Sequence, residues 1–342
     1  MKSTKVLLDL PEKFRVESYE IEKKGVIVKP TYLSICNADL RYYYGERPSD
    51  VLKKKLPLVL IHEAVGEVVY SDDADFQEGD HVAIVPISRH VSPLEEEYNY
   101  DYPGSRFMSS SADGCMQTLL QLSRENLVKF TKIDPQYGTS IEVASVAMQA
   151  VKRLNKFYNR ETKKIAVWGT GSVAFWTTLL LRETRPDTHI TVIGRTPSKL
   201  EAFSFADEAI LYQDMEKENE FDLVVEAVGG YGTETVMTNA SKIVKPVGCI
   251  LMLGVSEQKI NINTREWMEK GIMILTSHRS TYDDFVDVVQ IMENSDLVKQ
   301  HLHKCVSHIQ KVEKLEDIHQ AFCQAKKYQF KTVMEWNFQQ EA

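Results

Sequence analysis

Three residues in the first fifth of the chain have side chains suited to a metal ion. Cys36 stands in the segment YLSICNAD (32–39), and His62 and Glu63 stand in LIHEAVGEV (60–68). Thiolate, imidazole and carboxylate are all zinc donors, and three protein ligands beside an open position make a catalytic site. Taken singly, Cys36 suits a buried core thiol and His62 a hydrogen-bonded core histidine. Together, upstream of a nucleotide-binding unit, they suit a metal.

That unit is KKIAVWGTGSVAFWTTLLLRETRPDTHITVIGRTPSK (163–199). Ile165 to Trp168 is a short apolar run, Gly169-Thr170-Gly171 breaks it, Ser172 to Arg182 is apolar at helical spacing, and Ile190 to Ile193 is a second buried strand. Strand, glycine turn, helix and strand make one βαβ unit of a dinucleotide-binding fold. Gly169 permits the tight turn. Gly171 lets backbone N–H groups approach a pyrophosphate at the positive end of the helix begun by Ser172 and Val173, and Ala174 is the small residue where helix meets strand. The other reading is a tight turn without a ligand. At the end of the second strand, where an NAD site usually carries an acid, stand Gly194, Arg195 and Thr196, with Lys199 close behind. Two cations and no carboxylate predict NADP, a 2′-phosphate being neutralised there; the alternative is a solvated helix start.

The elements that must position these residues follow the same logic. GVIVKP (25–30) and its neighbours within 5–30 read as antiparallel strands. Residues 142–158 have helical apolar spacing and no Gly or Pro. Beyond the βαβ unit, Ala209 to Tyr212, Leu223 to Val228 and Ile250 to Val255 continue a parallel sheet. Val228 and Val255 lie at strand C-termini, where open α/β sheets bind ligands. Strand-end packing explains them equally well.

Length and composition bound the rest. A chain of 342 residues suggests about two domains. The net charge of −8 argues against nucleic acid or an anionic membrane as partner. No apolar run reaches the ~18 residues of a membrane span, and the N-terminus lacks a signal-peptide core. Five scattered cysteines suit a reducing, cytoplasmic setting.

Over nearly its whole length the chain resembles the zinc-dependent medium-chain dehydrogenases, the alcohol and polyol dehydrogenases. The resemblance is carried by Cys36 with Asp39, by HEAVGE (62–67), FQEGDHV (76–82) and DGCMQ (113–117), and by the turn at Gly169. SICNADLRYYYG, KLPLVLIHEAVGEVV and GVSEQKININTR resemble the ribulose-5-phosphate reductases, which make ribitol 5-phosphate for CDP-ribitol and wall teichoic acid or capsule. The resemblance implies an α/β chain: a GroES-like β-rich catalytic domain over 1–147 and 278–342, and a Rossmann, doubly wound parallel-sheet NADP-binding domain over 148–277. It implies one catalytic zinc on Cys36 and His62, with Glu63 a third or exchangeable ligand and Glu142 at the metal directly or through water. Asp39 would orient His62 by accepting its second ring N–H. Arg279 would lie near substrate and cofactor.

The departures carry expectations of their own. Only Cys115 stands where many zinc alcohol dehydrogenases hold a structural zinc with four cysteines, so no structural zinc is expected. An acidic surface loop, Ser92 to Asp101, replaces it. Ala38 occupies the place of the Ser or Thr that starts the family's proton relay, which leaves a water at the metal or Glu142 as proton route. A sugar phosphate needs cations, and Arg41, beside the Cys36 motif, is the first candidate, followed by Arg47, Arg106 and Arg279. Zinc would polarise the ketone and NADPH would reduce it. The resemblance implies a homodimer, and through its pathway a ribitol-5-phosphate cytidylyltransferase as partner. Other readings are a reductase of another pentose or polyol phosphate, a zinc-free enone or quinone reductase, and a non-catalytic NADP-binding regulator.

Overall fold

The chain opens with a hairpin whose second strand alternates. β1 (Lys2–Leu10) and β2 (Lys13–Glu20) pair antiparallel, and β2 keeps the solvent-facing pattern of a half-exposed strand. β3 (Val26–Ser34) follows, buried over most of its length. α1 (Asn37–Tyr43) and α2 (Ser49–Lys55) lead to β4 (Leu58–Val59), β5 (Glu63–Ser71) and β6 (His81–Ile84). β7 (Ile87–Ser88) pairs with β8 (Arg106–Phe107), and β9 (Leu120–Leu122), β10 (Leu127–Lys129) and α3 (Pro135–Gly138) complete this stretch. These elements come from a computed structural model that describes residues 1–88, 104–215, 221–257 and 259–339; the acidic segment Ser92 to Asp101 lies outside them.

α4 (Ile141–Phe157) leads into the second half. There β11 (Lys164–Trp168), α5 (Ser172–Thr184) and β12 (His189–Gly194) form the βαβ unit. α6 (Pro197–Leu200), β13 (Glu208–Leu211), β14 (Phe221–Glu226), α7 (Thr233–Ile243), β15 (Val244–Met252), α8 (Thr264–Lys270) and β16 (Met273–Thr276) continue it. The return segment holds α9 (Tyr282–Asn294), α10 (Asp296–Leu302), β17 (Val306–Val312), α11 (Leu315–Ala325) and β18 (Lys331–Trp336).

The chain forms two compact units, residues 1–142 with 281–342, and residues 143–280. In the first, a seven-stranded sheet runs β10-β6-β5-β3-β18-β17, with β9 also on β3. Leu33, Leu60, Ile84, Met116, Phe322 and Trp336 are among its buried core residues. In the second, six parallel strands run β13-β12-β11-β14-β15-β16. Counted from β11 as the first, that order is 3-2-1-4-5-6, the doubly wound arrangement of dinucleotide-binding domains. β11 is buried from Ile165 to Trp168. Helices cover both faces of such a sheet, so its strands read as continuous apolar runs rather than alternating ones.

β14 and β15 end earlier than their apolar runs suggest, at Glu226 and Met252 instead of Val228 and Val255. The buried carboxylate of Glu226 is the reason. Its Oε1 accepts from the N–H groups of Val228 and Gly229, each at 2.9 Å, and its Oε2 from Gly254 N–H at 3.0 Å. Amides held by a side chain leave the sheet ladder.

Candidate metal and cofactor sites

The metal candidates meet at one end of the seven-stranded sheet. β3 lies between β5 and β18, with Ser34 opposite Glu63 on one side and Val333 on the other. Cys36 follows two residues beyond Ser34, at the N-cap of α1. Register therefore brings Cys36, Glu63 and the start of β18 together. Donor atoms of Cys36, Asp39 and His62 lie within 4.8 Å of one another, and so do those of His62, Glu63 and Glu142. His62, Glu63 and Glu142 are buried, and Glu142 sits in the first turn of α4.

Asp39 does not play the part expected of it. Its Oδ1 is 3.9 Å from His62 Nδ1, too far for a hydrogen bond. The carboxylate binds the scaffold of the ligands instead. Oδ2 accepts from Cys36 N–H at 3.1 Å, and Oδ1 accepts from Ile61 N–H at 3.1 Å and from the Ser109 hydroxyl at 2.5 Å. Asp39 is the third residue of α1, so its bond to the N-cap amide is the reciprocal half of a capping box. The carboxylate thus holds three donors, and the His62 ring is not among them.

Two site residues carry no signal that the motifs provide. Lys331 Nζ donates to Glu63 Oε1 at 2.5 Å, and both side chains are buried. A lysine inside the apolar run FKTVMEW is the one sequence cue to it. Ile61 has φ +73°, a left-handed backbone rare for a β-branched residue.

Fields inside this pocket are strong. Burial pushes the Glu142 carboxyl up, with Glu63 adding to the effect against the pull of His62 and Lys331. Burial opposes charge on His62, yet Asp39 and Cys36 hold its pKa well above the ordinary imidazole value. Burial likewise opposes charge on Lys331, and Glu63 outweighs it. Glu63 Oε2 is buried without a hydrogen-bond partner among the described residues. An orphaned carboxylate oxygen beside a thiol, an imidazole and a second buried carboxyl is a donor set that fits zinc.

The second unit carries the nucleotide candidates. Gly169 has φ +133°, and a Cβ there would stand 2.7 Å from the carbonyl oxygen of Ala227, so the turn admits only glycine. A Cβ on Gly171, the N-cap of α5, would meet nothing within 4 Å. Protein packing thus leaves room at the N-terminus of a 13-residue helix, the place where a pyrophosphate gains most. Thr170, Ser172 and Val173 line the same turn, and Ala174 is buried beneath it. The turn and the Ala227–Gly230 loop leave β11 and β14 at the point where strand order reverses. Gly194 ends β12 against Thr170, and Arg195, Thr196 and Lys199 beyond it are exposed. Val228 and Val255 are 40% and 57% exposed on strand-end loops joined by Glu226 and by Gly230 N–H to Val255 O. Arg279 follows β16 with φ +64°, and Arg41 lies half-buried in the last turn of α1.

Known proteins share this architecture. The alcohol dehydrogenase GroES-like domain matches residues 22–132. The ribulose-5-phosphate reductase of Streptococcus pneumoniae is 35% identical over 324 residues, 95% of this chain and 93% of the relative. The Bacillus spizizenii enzyme of that name is 36% identical over 92% of this chain and 93% of its own. Among solved structures, S. aureus TarJ in complex with NADPH superposes with a TM-score of 0.85 at 31% identity, covering 98% of this chain and 99% of that one. L-idonate 5-dehydrogenase from Escherichia coli, at 20% identity and a TM-score of 0.86, shares the fold. Among the described residues no helix is long and apolar enough to cross a membrane. The chain belongs to the medium-chain dehydrogenase/reductase family, among its ribulose-5-phosphate reductases, and is an oxidoreductase acting on a CH–OH group.

Proposed function

We propose that the protein reduces D-ribulose 5-phosphate to D-ribitol 5-phosphate with NADPH, at a zinc held by Cys36 and His62 with Glu142 and Glu63. Two donor groups that share His62, one with Cys36 and Asp39 and one with Glu63 and Glu142, in a chain 35% identical to a ribulose-5-phosphate reductase, carry this reading. Zinc supplies Lewis-acid polarisation of the C2 carbonyl, and NADPH supplies the hydride.

The chain's own residues bind, orient and neutralise. Backbone N–H groups from Gly169 to Ala174 receive the pyrophosphate, and Arg195, Thr196 and Lys199 receive the 2′-phosphate. Val228 and Val255 flank the nicotinamide on loops that Glu226 fixes, and Arg279 serves substrate and cofactor. Lys331 holds Glu63 by one oxygen and leaves the other without a partner among the described residues, so that it would be available to a zinc ion. Arg41 takes the substrate phosphate. Ala38 offers no hydroxyl, so the proton for the new alcohol falls to Glu142 or to water. The product suits a cytidylyltransferase that consumes ribitol 5-phosphate, and a homodimer is the working assembly. The domain limits proposed are 1–147 with 278–342 for catalysis and 148–277 for NADP.

The test is NADPH oxidation with ribulose 5-phosphate against unphosphorylated ribulose and xylulose 5-phosphate, with zinc measured on the same sample. About one zinc per chain and a clear preference for ribulose 5-phosphate are expected, and Cys36→Ser should lose metal and turnover together. Turnover that survives complete metal removal would sink the zinc reading. A preference for another sugar would leave the family and change the substrate.

A further inference from the structure

His62 is aimed by a backbone that its own sequence disfavours. The residue before it, Ile61, is fully buried and left-handed at φ +73°. For an L residue this conformation sets Cβ against the following carbonyl, and branching at Cβ makes it worse. It persists only where neighbours over-determine it.

Those neighbours are specific. Asp39 Oδ1 accepts Ile61 N–H at 3.1 Å, and Ser109 donates its hydroxyl to the same oxygen at 2.5 Å. Ser109 is itself left-handed, at φ +60°, and buried. On the other side of Ile61, Cys115 N–H donates to the Ile61 carbonyl at 2.8 Å, and Gly114 N–H donates to the Val59 carbonyl at 2.8 Å. A Cβ on Gly114 would stand 2.3 Å from Leu60 O and 2.4 Å from Ile61 O, so the two segments lie in direct backbone contact. Ile61 is therefore held at its amide by a carboxylate and at its carbonyl by a backbone donor. Either hold, if lost, lets the residue relax towards a right-handed conformer that turns His62 elsewhere.

We infer that Ser109 is a positioning residue for the metal centre: through Asp39 it holds Ile61 in the left-handed conformation that presents His62. The hydroxyl fills the acceptor site of Oδ1 that the His62 ring, at 3.9 Å, leaves open, and it fixes the carboxylate against rotation. The segment 109–115 thus acts on the metal without touching it. The inference rests on the reading of Cys36 and His62 as zinc ligands.

The experiment is a double-mutant cycle between Ser109→Ala and Ile61→Gly, read by zinc affinity in chelator competition and by the absorption spectrum of the cobalt(II)-substituted protein. A ligand loop that spends part of its time misdirected binds zinc more weakly in proportion. Ser109→Ala should weaken zinc about tenfold or more, the loss of one charge-assisted bond to a buried carboxylate, and should alter the cobalt spectrum. NADPH affinity should stay as in the wild type. In the Ile61→Gly background the same change should cost no more than about two- to threefold, because glycine adopts φ > 0 without the restraint. An equal loss in both backgrounds would overturn the inference.

If Ser109→Ala fails to fold, Ile61→Gly is compared with Ile61→Ala. Both delete the side chain, and only glycine relieves the backbone, so Ile61→Gly should bind zinc about five- to thirtyfold tighter than Ile61→Ala. The opposite order, usual where glycine only adds chain entropy, would overturn the inference. A wild-type protein that takes up no zinc would remove the metal reading instead. The hold on Ile61 is then judged on metal-free stability, where Ile61→Gly above Ile61→Ala supports it and the reverse order refutes it.

Discussion

Lys331 Nζ and Glu63 Oε1 lie 2.5 Å apart in the interior, 268 residues apart in the chain. The pair places a full positive charge beside the metal candidates and commits one oxygen of Glu63. Removing one member of a buried pair strands the other, which costs far more than the pair itself contributes. Lys331→Met is expected to destabilise the metal-free protein by about 3–5 kcal/mol. Glu63→Gln in the same background should restore much of that loss. Urea unfolding of the two variants measures it, and an unchanged midpoint for Lys331→Met would show that Glu63 does not depend on the lysine.

The strand-end carboxylate of Glu226 makes a second prediction. Glu226→Gln keeps the shape and replaces one acceptor oxygen with a donor that faces backbone N–H groups. Leaving such a donor unmatched costs about 1–3 kcal/mol. The expected result is faster hydrogen exchange at Val228, Gly229 and Gly254 and weaker NADPH binding, with zinc content unchanged. Exchange rates equal to the wild type would mean that the loops hold themselves.

Arg195 is the proposed contact for the 2′-phosphate of the cofactor. Arg195→Ala should lower the preference for NADPH over NADH by about tenfold, near the low end for a charge-assisted bond because the side chain is exposed. The effect should shrink as salt is added. Kinetics with both cofactors at two ionic strengths measure it, and a wild-type enzyme indifferent to the 2′-phosphate would sink the assignment.

Arg41 is the proposed phosphate contact. Arg41→Ala should lower kcat/KM for ribulose 5-phosphate by roughly ten- to a hundredfold. Zinc content and NADPH affinity should hold. Turnover of unphosphorylated ribulose should fall much less, since it never used the contact. A uniform loss on both substrates would make Arg41 a support of the fold, and no loss would move the site to Arg47, Arg106 or Arg279.

What was legible in the sequence is what short-range chemistry controls. The glycine turn at Gly169, the buried strands on either side of it and the helix from Ser172 follow from turn residues and apolar period. Cys36 and His62-Glu63 mark a candidate metal site because few other uses combine those side chains ahead of such a unit. Arg195 and Lys199 speak through charge alone. Tertiary structure decided the remainder, because it depends on strand register. Lys331 reaches Glu63 only because β18 and β5 flank β3. Asp39 meets the Cys36 and Ile61 amides and the Ser109 hydroxyl rather than the His62 ring, a choice set by which segments the fold brings to its carboxylate. No propensity predicts an isoleucine at φ +73°; the neighbours that impose it come from residues 39, 109 and 115. Glu226 stands inside the run Leu223 to Val228, and nothing in the sequence there marks its role. Only the packed loops show it as the acceptor that ends two strands and shapes the space between them.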